Sequence, residues 1–129
     1  MPLLRQIASF GAVGICATLA HVATAWLLFD GAGFDGFAAN ACGAAAAFTV
    51  SYVGNARITF ASERGLLVGA ARYLPVTLVS FALTSAVLAF VERNGMPTYV
   101  YALVVLLIVP PTTFLMAKLW AFRPRGQQA

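Results

Sequence analysis

The segment QIASFGAVGICATLAHVATAWLLF, residues 6–29, runs for 24 residues without an Asp, Glu, Lys or Arg. A helix crosses the hydrocarbon core of a bilayer with about 20 mainly apolar residues. The stretch is longer than the roughly 7–15-residue apolar core of a secretory leader, and only Arg5 flanks it, so it reads as a retained spanning helix. Three more charge-free stretches follow, at residues 36–56, 73–91 and 94–117. Together they predict an all-α integral membrane bundle of four transmembrane helices. A single transmembrane domain over residues 1–129 is expected, with no room for a separate soluble domain.

Composition agrees. Of 129 residues, 61% are hydrophobic and 9% charged, against about 25% charged in ordinary soluble domains. So few charges cannot coat a water-soluble globule. A soluble enzyme, a disordered tail and a disulfide-stapled secreted module are all excluded. Cys16 and Cys42 lie inside apolar runs, without His or Cys neighbours at metal-ligand spacing, and read as buried small hydrophobes. No cofactor is implied.

The net charge of +4 sorts by connector. Arg5, then Arg57, Arg64 and Arg72, then Lys118, Arg123 and Arg125 fall on one side of the expected topology, and only Arg93 on the other. The loop around Asp30 and Asp35 has no basic residue. Basic residues accumulate on the cytoplasmic side of a membrane protein. Both termini and the central connector are therefore expected to be cytoplasmic, and the basic excess reports topology with no nucleic-acid partner. Trp26, Phe29, Tyr99 and Tyr101 mark the outer interface in this frame, and Tyr52, Phe60, Tyr73, Trp120 and Phe122 the inner one.

The inner ends of the second and fourth spans are alike. The stretch from Tyr52 to Phe60 lies over that from Phe114 to Phe122, matching Tyr52 to Phe114, Ile58 to Trp120 and Phe60 to Phe122, with Arg57 and Lys118 one position out of register. Two helical hairpins, each with an even number of spans, make a parallel repeat.

Polar residues fall in stripes. Asn40, Ser51 and Asn55 share a face of the second span with small Ala44 and Ala47 between them; Gly14, Thr18 and His21 share a face of the first. Pro110 and Pro111 precede Thr112 in the fourth span. Such stripes serve helix packing through small residues and interhelical hydrogen bonds, or line a polar groove. His21 is an ionisable group within a span, which marks a functional candidate, or a neutral hydrogen-bonded packing residue.

In order along the chain, these pieces resemble the GtrA-like family of small four-span bacterial membrane proteins. The resemblance rests on Arg5, Phe10, Gly14 and Thr18; on Ala39, Asn40 and Gly43; on Tyr52, Asn55, Arg57, Ile58 and Phe60; and on Pro111, Thr112, Phe114, Lys118, Trp120 and Phe122. Ile58 stands where a Trp is common, and His21 where a carboxylate or an apolar residue is usual. The resemblance implies translocation of a polyprenyl-phosphate-linked sugar across the bacterial cytoplasmic membrane, for cell-surface polysaccharide synthesis or glycosylation. An alternative it also implies is a non-transporting partner that anchors a glycosyltransferase. For translocation, the headgroup contacts expected are Asn55, Arg57, Lys118 and Arg72, and the polar groove Thr18, His21, Asn40, Ser51 and Thr112. Arg is suited to two-point contact with phosphate. Membrane lipids and a second copy of the chain are the other expected partners. A multidrug–proton antiporter of similar length needs a carboxylate within the membrane, whereas Asp30, Asp35, Glu63 and Glu92 all fall in connectors or at helix ends.

Overall fold

A computed structural model describes residues 2–124 and 126. Arg125, counted above among the inner basic residues, lies outside the described residues. The described chain holds four long helices, α1 (Leu3–Trp26), α2 (Gly36–Gly54), α3 (Leu66–Arg93) and α4 (Thr98–Met116). With their terminal turns, all four are long and apolar enough to cross a membrane. Three of them end in a wide, π-helical turn: Leu27–Gly31 after α1, Asn55–Thr59 after α2 and Ala117–Ala121 after α4. In each, an amide reaches the carbonyl five residues back, as in Phe60 to Asn55 at 2.9 Å and Phe122 to Ala117 at 2.8 Å. The chain divides into two compact units, residues 1–61 and 62–129.

In the first unit α1 and α2 form an antiparallel hairpin. Asp35 starts α2 by accepting a hydrogen bond from the Ala38 amide at 2.8 Å, which satisfies one of the first-turn donors. Two glycines set the approach of the helices. A Cβ on Gly43 would stand 2.7 Å from the His21 carbonyl oxygen, and one on Gly54 would stand 2.8 Å from Val13 Cγ1. At the far end of α2, Ser9 and Thr59 share a hydroxyl hydrogen bond of 2.8 Å, and Phe10 meets Phe60 edge to face at 6.4 Å. The unit ends at Ala61, whose φ of 45° is left-handed backbone.

In the second unit α3 pairs with α4. Tyr73 and Phe122 pack at 5.4 Å, over a core that includes Val76 and Ala117. The guanidinium of Arg72 donates to the main-chain oxygen of Trp120 at 2.6 Å, and the Arg64 Nη2 to that of Arg123 at 2.8 Å.

The wide turn at Ala117–Ala121 stands 62 residues after that at Asn55–Thr59. Tyr52 and Phe114 are both buried, and Ile58 and Trp120 both exposed. Phe10 with Phe60 is answered by Tyr73 with Phe122. The two hairpins are thus repeats of one structural unit.

Three sequence expectations are corrected. First, α3 begins at Leu66, not at residue 73. Arg72 broke the apolar stretch in the sequence, but its charge is held by carbonyls at the end of α4, so the helix runs through it. At 1.5 Å per residue its 28 residues reach about 42 Å, more than the roughly 30 Å of hydrocarbon. Second, α4 begins at Thr98 and not at residue 94. Asn94 instead closes α3, its Nδ2 donating to the Phe90 carbonyl at 2.8 Å. Gly95 turns the chain at φ 61°, and Pro97 disfavours helix in the residue before it. Third, Cys16 and Cys42 are exposed on their helices, not buried. In a chain this apolar, hydrophobic character no longer marks the inward face.

Candidate functional site

The wide turn after α2 separates the two residues expected to act together. Asn55 is 1% exposed and its Nδ2 lies 3.5 Å from the Ser51 hydroxyl, one turn earlier on α2. Arg57, two residues on, is exposed and makes no hydrogen bond or ion pair among the described residues. Beside it Ile58 is 61% exposed. The first unit therefore offers an available guanidinium next to an apolar side chain, above an amide built into the helix end.

The other two expected headgroup residues belong to the second unit. Arg72 is half-buried and engaged: Nη2 and Nε donate to the carbonyls of Trp120 and Ala121, the second contact at 3.4 Å, and the guanidinium lies 4.7 Å from the Trp120 ring centroid. This is a helix end satisfied by a side chain and reinforced by a cation–π contact. Lys118 lies in the wide turn, with Nζ 5.8 Å from the centre of the Phe114 ring one turn earlier.

Of the expected groove residues, the structure joins His21 and Asn40, at 2.8 Å between Nε2 and Oδ1, and Ser51 with Asn55. Thr18 and Thr112 instead donate to carbonyls of their own helices, Gly14 at 3.0 Å and Ile108 at 2.8 Å. Such back-bonding is the usual fate of a helical Thr with no better acceptor. His21 and Asn40 line a hollow of about 390 Å³ at the Asp35 end of the first hairpin, walled by Trp26, Phe29 and Ala39.

Sequence reasoning did not foresee Ser9 and Thr59, or the engagement of Arg64 and Arg72 with main-chain oxygens. The polar type of Ser9 and Thr59 was visible, but only the wide turn brings Thr59 around to Ser9.

Four spanning helices arranged as a repeated hairpin define a multi-pass integral membrane protein, with aromatic and basic side chains at matching hairpin ends. Residues 9–122 match the family model described as GtrA/DPMS, transmembrane domain. The chain belongs to that family. No curated protein and no solved structure matches it.

Proposed function

We propose that the protein translocates a polyprenyl-phosphate-linked monosaccharide across the bacterial cytoplasmic membrane, supplying sugar for cell-surface polysaccharide synthesis or glycosylation. It acts as a carrier and not as an enzyme. Family membership supports a role in membrane sugar-lipid movement. The observation that carries the finer reading is Arg57, an exposed cation at a helix end with exposed Ile58 beside it. That pairing suits an amphiphile with a phosphate head and a hydrocarbon tail. The guanidinium grips two phosphate oxygens at once, and Ile58 lies against the first isoprene carbons. Buried Asn55 fixes the turn that presents Arg57. In the second hairpin Lys118 is the positive charge of the corresponding turn, and Arg72 positions that turn through its carbonyls. Both termini and the central connector are cytoplasmic in this scheme, and the working form is a homo-oligomer, measurable as mass in mild detergent.

The test is a liposome assay with a labelled polyprenyl-phosphate sugar, scoring access to the opposite leaflet. At equal membrane levels Arg57→Ala is expected to lower transport about tenfold or more, the equivalent of one charge-assisted contact. Arg57→Lys is expected to restore part of the loss, because an ammonium cannot make the planar two-point contact. Equal transport by wild type and Arg57→Ala removes Arg57 from the site. A wild-type protein that transports nothing but co-purifies with a glycosyltransferase supports the anchoring alternative.

A further inference from the structure

The hollow at the opposite end of the first hairpin from Arg57 has its own chemistry. Residues 6–56 contain no Lys or Arg, while Asp30 and Asp35 lie at this end. Within an otherwise apolar stretch, His21 and Asn40 meet across the hairpin at 2.8 Å. Asn40 Oδ1 only accepts, so His21 Nε2 carries the proton in this contact. In the neutral imidazole that leaves Nδ1 as an acceptor beside the two N–H groups of Asn40 Nδ2 as donors, and these atoms have no partner among the described residues. The pair is built in. A Cβ at position 43 would stand 2.7 Å from His21 Cδ2, so the imidazole occupies space that only glycine leaves open. Trp26 and Phe29 add flat aromatic faces to this open hollow.

Donor and acceptor side by side, aromatic walls and no cation do not suit a phosphate, which two nearby carboxylates would repel. They suit an uncharged polyhydroxyl ring, whose hydroxyls both give and take hydrogen bonds and whose C–H face lies on an aromatic ring. We propose that the His21–Asn40 hollow binds the glycosyl group of a lipid-linked sugar. Asn40 and Arg57 stand about 25 Å apart along α2, so one lipid meets the basic end through its phosphate and the acidic end through its sugar in succession, not at once. The biological sense of the site rests on the translocation reading, but its test does not.

His21 is the only histidine in the chain, so selective ¹⁵N-histidine labelling gives one residue's signals. The protein is placed in lipid nanodiscs and titrated with hexyl β-D-glucoside, then with hexyl phosphate as the anionic control of equal chain length. The expected result is a saturable shift of the His21 ring nitrogens with the glucoside and none with the phosphate. Asn40→Ala is expected to weaken the response about tenfold or more, as loss of a polar contact does. Asn40→Asp keeps the size and the acceptor, so it guards against misfolding. It is expected to weaken the response as well, because it lacks the Nδ2 donors. No saturable shift, an equal response to hexyl phosphate, or an unchanged titration in Asn40→Asp overturns the site. Transport measured on the same preparations separates the two ideas. Transport without a His21 response overturns the sugar site and leaves translocation standing. A His21 response without transport supports the site and overturns translocation.

Discussion

Val13 and Gly54 show how little freedom single positions have where α1 meets α2. A methyl at position 54 would meet Val13 Cγ1 at 2.8 Å and Cγ2 at 3.1 Å. Valine is stiff at χ1 and has no long arm to swing aside. Gly54→Ala is therefore expected to destabilise the hairpin by about 1–3 kcal/mol, as overpacking does. Val13→Ala removes both offending carbons. The double variant Val13→Ala/Gly54→Ala is expected to melt closer to wild type than Gly54→Ala alone, a coupling that thermal unfolding in detergent measures. Failure of that rescue would show that the clash is not what limits position 54. At this scale the sequence was legible only in part. Polar residues in a greasy chain stand out, so His21, Asn40, Asn55 and Arg57 were visible. What each side chain touches was not, because Thr18 and Thr112 choose between a neighbouring helix and their own backbone on grounds of geometry alone.

The helices themselves were read from the absence of charge, which works because hydrocarbon tolerates so few ionised groups. The same rule misplaced the start of α3, since it cannot see a charge held by carbonyls. Arg72 and Arg64 close the C-terminal end of α4 from outside that helix. Replacing Arg72 by Leu keeps bulk and removes both donors. The expected outcome is fraying over Trp120–Arg123, seen as faster hydrogen exchange there and a changed Trp120 environment, while the upper turns of α4 keep their protection. Arg72→Lys should protect less than arginine, since one ammonium cannot span two successive carbonyls and stack on an indole. Uniform exchange in wild type and Arg72→Leu would remove the latch. The repeat was also readable in outline, because Tyr52, Ile58 and Phe60 match Phe114, Trp120 and Phe122 by type. Its closing contacts were not, because the first hairpin uses a pair of hydroxyls where the second uses an arginine and two carbonyls.

For the whole molecule the charge bias predicts sidedness. Seven of the eight basic residues fall on one side of the expected topology, and that bias sets orientation in short-loop proteins. In a Cys16→Ala/Cys42→Ala background, a cysteine at Ala32 is expected to react with an impermeant maleimide from outside intact cells. One at Glu63 is expected to react only after the membrane is opened. Position 32 is preferable to position 35, whose carboxylate caps α2. Labelling of both from outside, or of Glu63 alone, would overturn the assignment of the termini to the cytoplasm.

The wide turns carry one more consequence, which concerns phase. A π-helical turn holds one residue more than an unbroken α-helical ladder of the same rise. Each is therefore an inserted residue that the hairpin has kept, at two places 62 positions apart. Deleting Ala56 would take that residue out and let α2 close as ordinary helix, with Thr59 and Phe60 nearly in phase with Ser9 and Phe10 as before. Arg57 and Ile58 lie inside the widened turn, so their own directions would change. The shortened protein is expected to insert at normal levels, because the backbone bonds and the closing contacts re-form, and yet to lose transport. That is an error of timing along the helix, not of strength, and its counterpart is a lost function with an unshifted melting temperature.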